Sequence, residues 1–489
     1  MSDEAKEKCG LVGVFGIKDP AALVYAGLFA LQHRGQEGAG IVVADGERIR
    51  SVKGLGLLTE AVGRKDWSRL KGHIGIGHVR YSTTGSTRVQ NVQPLVVECV
   101  DGIWAVAHNG NLVNASTLRR SYQNAGAIFQ TSSDSEVLVH LLADPMFRER
   151  PRRVTRALGE LRGAFCFLMM TRDCLMAARD PHGFRPLSLG RIGDAWVVAS
   201  ETCALSQMGA EYVRDVLPGE LIIIDGNGMR SVMYADPPRD GTAHCVFEMV
   251  YFARPDSQVF GRNVHGVRMQ YGGRLAEEFP VEADIVTPIP DSGNSAALGY
   301  SRCSGIPLDY GFIRNHYVGR TFIMPEQAER SAGADMKLSV VADVVRGKRV
   351  VVVDDSIVRG TTAKRRVSLL RDAGAREIHM RISCPPIAHP CFYGIDFPTR
   401  EELIGGDRSV EEIRDFIGAD SLGYLSVEGL LLPYEACIKN GDMGFCTACF
   451  TGEYPVNAGG GAKGRKSLEL IMPELQFQSD VEVTAGENA

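Results

Sequence analysis

Val350-Val-Val-Val-Asp-Asp-Ser-Ile-Val-Arg-Gly-Thr-Thr362 decides the fold of its half of the chain. Four β-branched residues in a row suit a strand buried on both faces of a parallel sheet. The run ends in two adjacent carboxylates, Asp354 and Asp355, and then in a small polar turn around Gly360. Ala363 to Asp372 follows and reads as a helix. In sheets of this kind ligands bind where strands end and helices begin. The turn can aim backbone N–H groups, with the hydroxyls of Ser356, Thr361 and Thr362, at one phosphate at the helix N-terminus. A phosphate alone does not need two aspartates. A phosphate beside a ribose diol or Mg²⁺ does. A plain buried strand ending in a helix cap accounts for one Asp and leaves the pair and Gly-Thr-Thr without a reason.

Working outward, the second half of the chain alternates strand and helix. Ile285–Ile289 reads as a strand, 294–303 as a helix, 362–373 as a helix and Ile378–Ser383 as a strand. That pattern predicts an α/β domain with a parallel sheet. The first half differs. It strings short strand-like runs together with few helices: Ile74–Val79, Ile103–Ala107, Phe165–Met170 and Trp196–Ala199. Turn formers dominate residues 226–244, directly after the apolar run Leu221–Ile224, and the domain boundary is expected there. From about Val456 the chain thins into Gly-rich, polar sequence. Gly459–Lys466 lacks the Gly-Lys-Ser/Thr ending of a P-loop and no strand leads into it, so it reads as a flexible linker.

Composition narrows the function classes. A chain of 489 residues holds about two to four domains with ample core. The net charge of −5 comes from mixed charges, so no face for a polyanion is implied. No stretch is long and apolar enough to span a membrane, and Met1–Lys8 is too short and charged for a secretory signal. A cytoplasmic protein is expected, with no nucleic-acid or membrane partner. Twelve cysteines at irregular spacing point to reduced thiols or metal ligands rather than a disulfide framework.

The first half carries a second chemistry. Cys9-Gly10 precedes the apolar run Leu11–Ile17; Gln32-His-Arg-Gly-Gln-Glu-Gly-Ala-Gly40, Gly77-His-Val-Arg-Tyr-Ser-Thr-Thr-Gly85, His108-Asn-Gly-Asn111 and Ser132-Ser-Asp-Ser-Glu136 follow in order. A lone Cys near a terminus is usually a small core residue. In this company it resembles the nucleophile of the class II, N-terminal nucleophile glutamine amidotransferases, and the resemblance covers nearly all of residues 9–225. It implies an αββα sandwich over residues 9–235 and removal of a propeptide, residues 1–8. A first-residue Cys9 could use its own α-amine as base. An α-amine titrates at roughly 7.7–8.0 and a thiol at about 8.5, so the proton exchange is nearly isoenergetic. While Lys8 remains attached that nitrogen is an amide and no base exists.

Each motif also has a bland reading. Asn109-Gly110 could be a type I′ hairpin turn; by resemblance it supplies the Asn109 side chain and the Gly110 N–H to an oxyanion. Arg80 could be a surface ion pair; by resemblance it grips the glutamine α-carboxylate. Ser133-x-x-Glu136 reads as a capping box, and capping is left to Ser133 while Asp134 takes the glutamine α-ammonium. Arg34 is expected at the nucleophile pocket, bound to glutamine.

The stretch from Asp354 to Thr362 looks like the phosphoribosyl pyrophosphate (PRPP) motif of type I phosphoribosyltransferases. Around it the chain resembles the amidophosphoribosyltransferase family. The resemblance places PRPP on Asp354, Asp355, Ser356, Ile357, Val358, Arg359, Gly360, Thr361 and Thr362. Pro288-Ile-Pro-Asp-Ser-Gly293 resembles the pyrophosphate loop, with Ser292 joining Asp354 and Asp355 around one Mg²⁺ per subunit. Arg314 to Lys337 reads as a lid contributing Tyr317, Arg320 and Lys337. Cys446-x-x-Cys449 alone is ambiguous between redox, zinc and cluster chemistry. With Cys245 and Cys391 it matches the ligands of one [4Fe–4S] cluster per subunit in one branch of the family, and spacing leaves tetrathiolate zinc open. Cys9-Gly-Leu-Val-Gly-Val-Phe-Gly16 departs from that branch: it is two residues longer than its usual start. Cys99, Cys166, Cys174, Cys203, Cys303, Cys384 and Cys437 are expected as packed thiols.

The phosphoribosyltransferase domain, with its cluster-binding segment, is expected over 240–456 and a flexible tail over 457–489. The expected reaction transfers glutamine nitrogen to PRPP through an enclosed ammonia passage. A homotetramer inhibited by purine nucleotides is implied by the resemblance. Two other classes share parts of the chain. A sugar-phosphate amidotransferase would carry isomerase domains in place of the 354–362 turn. A non-catalytic PRPP-binding regulator would need no glutaminase and would show a DNA-binding segment, which is not found.

Overall fold

The computed structural model describes residues 9–63, 67–81, 88–100, 102–144, 150–236, 238, 241–315, 338–397, 399–441 and 443–456. Residues 1–8 and 457–489, and Tyr317, Arg320 and Lys337 of the expected lid, lie outside the described residues.

The alternating apolar runs of the first half fold as β1 (Gly10–Phe15), β2 (Gly38–Ala44), β3 (Ile49–Leu55), β4 (Ile74–Arg80), β5 (Leu95–Cys99), β6 (Gly102–Leu112), β7 (Gly163–Met170), β8 (Leu175–Arg179), β9 (Ser188–Ile192), β10 (Ala195–Ala199), β11 (Glu211–Asp215), β12 (Glu220–Asp225) and β13 (Gly228–Met233). They form two antiparallel sheets, ordered β11-β9-β10-β1-β4-β2-β3 and β13-β12-β8-β7-β6-β5. Leu11, Ile76, Ala107, Leu168, Val198 and Ile222 fill the space between them. Helices Ala21–Ala30 and Thr202–Gln207 cover the outer face of the first sheet. Helices Glu136–Leu142 and Arg150–Glu160 cover the second. The result is the αββα sandwich. Sequence reading underweighted these helices because Ala21–Ala30 is apolar nearly all round and shows no helical stripe. The two-residue turn Gly226-Asn227 closes the β12–β13 hairpin, so the first-half sheet runs on to Met233.

In the second half, β14 (His244–Cys245) comes first, then the hairpin of β15 (Gln258–Val259) and β16 (Arg262–Asn263). β17 (Ile285–Pro288), β18 (Phe312–Arg314), β19 (Leu338–Val340), β20 (Arg349–Asp354), β21 (Glu377–Ile382), β22 (Ser421–Tyr424) and β23 (Phe445–Cys446) follow. A four-stranded parallel sheet has the order β17-β20-β21-β22. Val350 to Val353 are wholly buried at its centre, as a both-faces-covered strand requires. Helices Val264–Glu278, Asn294–Ser304 and Thr361–Asp372 pack around it.

Candidate active site

The first sheet brings Cys9 to its rim, just before β1, with Sγ 3.8 Å from the carbonyl of Tyr81 at the end of β4. Arg34 Nε donates to the Cys9 carbonyl at 3.2 Å. Its other nitrogens bond Glu201 at 2.5 Å and Glu248 at 3.0 Å. All three side chains are fully buried. Burial works against the Arg34 charge, but Glu248 and Glu201 hold the guanidinium protonated far above its ordinary range. Glu201 is likewise held well below the carboxylate range by His33 and Arg34, against its own burial. The expectation that Arg34 binds glutamine is corrected here. A guanidinium with no exposed face, spent on Glu201, Glu248 and the Cys9 carbonyl, reaches no incoming carboxylate.

Asn109 and Gly110 sit in mid-strand in β6, opposite Cys166 and Phe165 of β7, not in a hairpin turn. Gly110 has φ +145°, and a Cβ there would lie 2.0 Å from the Ala164 carbonyl. Only glycine permits that strand to turn its amide so. Asn109 is buried, and its side-chain nitrogen has no hydrogen-bond partner among the described residues. A buried orphan donor needs a reason, and an absent acceptor supplies one. Arg80 is buried at the end of β4, which removes the surface ion-pair reading.

Asp134 is buried and accepts the Leu112 N–H at 3.0 Å. Burial opposes its charge, yet His108 and this N–H hold the carboxyl below its ordinary value. The capping box is also corrected. The helix starts at Glu136 with no side-chain cap, and Glu136 turns back to accept the N–H groups of Gln130 and Thr131. Ser133 and Ser135 hydroxyls point at Asp134 instead. The local signal lost to a tertiary one: the serines orient a buried carboxylate.

The second constellation lies at the C-terminal ends of β17 and β20. Ile289 N–H bonds the Val353 carbonyl at 2.9 Å, which brings the 288–293 loop beside Asp354 and Asp355. Asp354 accepts the Asp355 N–H and pairs with Arg366 of the following helix. Burial and the neighbouring Asp355 push its carboxyl upward, and Arg366 opposes them. Gly360, φ +82°, starts that helix, and a Cβ there would lie 2.4 Å from Ile404. Thr361 and Thr362 form its first turn, and Arg359 pairs with Glu402.

A cavity of about 360 Å³ opens over the second constellation and extends to the first half of the chain beside Cys9. Tyr81 and His33 line it from the first half; Ser292, Asp354, Asp355 and Thr362 line it from the second, with Ser356, Ile357 and Val358 beside them. No three His, Cys, Asp or Glu side chains among the described residues converge closely enough to hold an ion alone. Ser292, Asp354 and Asp355 nevertheless share one wall, which suits a hard cation that takes most of its oxygens from phosphates and water.

Three distant segments bring four cysteines together. Cys245 of β14 stands opposite Cys446 of β23 in a parallel pair. The carbonyl of Cys449 accepts the N–H groups of Ala388 and His389, which docks the Cys391 segment. Burial, and then the other thiols of the group, push the Cys391, Cys446 and Cys449 thiols up. These four cysteines, none in a disulfide, form a sulfur donor set of the kind that holds an iron–sulfur cluster. Of the thiols expected to be packed, Cys166, Cys174, Cys203 and Cys384 are buried, while Cys303 is exposed.

Sequence reasoning missed Glu201, Glu248, Arg185 and Arg366. Arg185 bonds Glu248 at 3.4 Å and the Tyr393 carbonyl at 2.8 Å, tying both halves together. The available signal was a lone acid in an apolar run: Glu248 within Val246–Phe252, and Glu201 just after Trp196–Ala199. A charge in such a run is buried and needs a partner.

Known proteins resemble this chain over most of its length. The glutamine amidotransferase domain family matches residues 78–207. An amidophosphoribosyltransferase of Bacillus subtilis is 53% identical over 92% of this chain and 94% of its own length. One from Mycobacterium tuberculosis is 48% identical over 92% of this chain and 87% of its own. Among solved structures, the glutamine PRPP amidotransferase of B. subtilis complexed with ADP and GMP superposes with a TM-score of 0.87. It is 52% identical and covers 93% of this chain and 99% of that one. A second, described as the allosteric regulatory enzyme of purine biosynthesis, gives 0.88 at 52% identity, covering 93% of this chain and 98% of that one.

Proposed function

The chain belongs to the amidophosphoribosyltransferase family, and from that premise we propose how its residues divide the work. The enzyme transfers the amide nitrogen of glutamine to PRPP, releasing glutamate and pyrophosphate, the first step of purine synthesis. Its fold is an N-terminal amidotransferase sandwich, 9–235, followed by an α/β phosphoribosyltransferase domain, 240–456.

Once residues 1–8 are removed, the Cys9 α-amine takes the proton from its own thiol and Sγ attacks the glutamine amide. Asn109 Nδ2 and the Gly110 N–H receive the tetrahedral oxyanion; the unpartnered Asn109 amide supports this role. Arg80 and Asp134 hold the substrate's α-carboxylate and α-ammonium. Arg34 keeps the Cys9 carbonyl in place. At the second site the 354–362 turn cradles the 5-phosphate and Asp354 and Asp355 face the ribose. Ser292, Asp354 and Asp355 would hold Mg²⁺, which when bound neutralises the departing pyrophosphate. Cys245, Cys391, Cys446 and Cys449 would hold a [4Fe–4S] cluster, whose role is to clamp the C-terminal segment onto the fold.

Tyr317, Arg320 and Lys337 complete the PRPP site from the lid, whose closure makes PRPP accelerate glutamine hydrolysis. Purine nucleotides inhibit and the enzyme is a homotetramer; the solved B. subtilis relative, complexed with ADP and GMP, supports the first of these. Twelve free thiols support a reducing, cytoplasmic setting.

One observation carries this reading: a single cavity has Tyr81, the neighbour of Cys9, on one wall and Asp354 on another. Ammonia crossing it avoids capture of a proton from bulk water. The test is ¹⁵N-amide glutamine with excess unlabelled ammonium. Product that keeps the label is expected; label diluted to the ratio of the bulk pool rejects the shared passage.

A further inference from the structure

Glu201 sits where the two halves meet, and its two oxygens divide between them. Oε1 takes the nucleophile side: His33 Nε2 at 2.8 Å and Arg34 at 2.5 Å. Oε2 takes chiefly the phosphoribosyl side: the Arg254 N–H at 2.9 Å and the Ser257 hydroxyl at 2.7 Å, with the weak Cys203 thiol donor of its own half at 3.7 Å. The carboxylate and Ser257 are both fully buried. His33 and Arg254 line the shared cavity, and Arg34 continues to the Cys9 carbonyl. The Arg254 side chain reaches Asp256 at 2.7 Å and the Ala30 carbonyl at 3.4 Å. Ala30 O also faces His33 Nδ1 at 3.1 Å. An anionic substrate entering the cavity competes with Asp256 for Arg254, and the Arg254 backbone is fastened to Glu201.

We propose that Glu201 is a positioning residue that transmits occupation of the PRPP cavity to the nucleophile, through Ser257 and Arg254 on one oxygen and Arg34 on the other. This rests on the two-site reading above and names the link between its sites. A buried carboxylate cannot lose two donors without finding others. Movement of residues 254–257 therefore shifts Glu201, and with it the Arg34 clamp on Cys9. The element both sites bias is this one carboxylate.

The discriminating variant is Ser257→Ala, which removes one donor from Oε2 and leaves Arg34, Cys9 and the cavity wall intact. The readout is the rate at which a glutamine-like electrophile alkylates Cys9, with and without saturating PRPP, beside ammonia-dependent synthesis. In Ser257→Ala the acceleration by PRPP should fall about tenfold, the worth of a hydrogen bond to a charged group. Alkylation without PRPP, ammonia-dependent turnover and the KM for PRPP should stay within about twofold. Ser257→Thr should restore the acceleration. Thr202→Val removes the neighbouring bond to the Gln258 N–H, 2.8 Å, and should leave it unchanged. Ser257→Cys, a weaker donor, serves if the alanine variant does not accumulate, with an intermediate loss expected. Wild-type acceleration in Ser257→Ala overturns the proposal, as does an equal loss in Thr202→Val or no recovery in Ser257→Thr. If PRPP fails to accelerate alkylation in the wild type, it is the coupled two-site reading that falls.

Discussion

The two halves of the molecule prepare for their substrates in opposite ways. The amidotransferase half buries its charges in closed ion pairs: Arg34 lies with no exposure between its own Glu201 and Glu248 of the second half. The phosphoribosyl half gathers like charges instead. Asp354 and Asp355 stand side by side on a cavity wall, and Arg366 pairs with Asp354 from the following helix. On the proposed mechanism Cys9 must be aimed before glutamine arrives, so its support is a finished ion network. A site for a polyphosphate and its cation keeps an uncancelled charge for the cation to cancel. Preorganisation in the first half and deferred neutralisation in the second are two solutions to electrostatics in a low dielectric.

The largest test separates the halves by nitrogen source. Cys9→Ala should lower glutamine-dependent synthesis by roughly 10⁴-fold and leave ammonia-dependent synthesis within about threefold. Asp355→Asn should lower both by on the order of 10²-fold. Equal losses in the Cys9 variant would merge the two sites into one. Next, Arg34→Met leaves Glu201 and Glu248 buried without their cation and should cost about 3–5 kcal/mol of stability by denaturant titration. A neutral result would mean the network is not what holds the sandwich rim. Asn109→Ala should reduce glutaminase turnover about 10²-fold, with little change in melting temperature because its side-chain N–H donates to none of the described residues.

Acid sharpens the contrast further. Glu201 is held below its ordinary value, so its contribution to stability is present above the unfolded carboxylate range and is lost as pH falls through the depressed value. Glu201→Gln should therefore melt below wild type at pH 7, and the gap should narrow as the pH drops below about 4. A gap constant with pH would reject the charge as the source. The smallest effect has the opposite sign. Asp355→Asn relieves the adjacent carboxylates and should raise stability by about 1 kcal/mol in metal-free buffer. Mg²⁺ and PRPP added together should stabilise the wild type more than this variant.

Most of the second half was legible because its signals are local. A run of valines, a carboxylate pair and a Gly-containing turn lie contiguous in sequence, and a strand–turn–helix unit keeps them contiguous in space. The order of motifs in the first half was legible for the same reason, while their local readings were not. Asn109-Gly110 looked like a turn, and Ser133 with Glu136 looked like a cap. Strand pairing with β7 overrode the first and the buried Asp134 overrode the second.

The sequence by itself determined which elements form and which residue types face a phosphate, because periodicity and turn chemistry act over a few residues. The tertiary structure alone decided that Arg34 holds the Cys9 carbonyl and that the Glu201 and Glu248 carboxylates both join the two halves. It also decided that four thiols from three segments meet. Those relations join residues far apart in the chain, 214 positions in the case of Arg34 and Glu248, and no local pattern encodes a partner that only packing brings near.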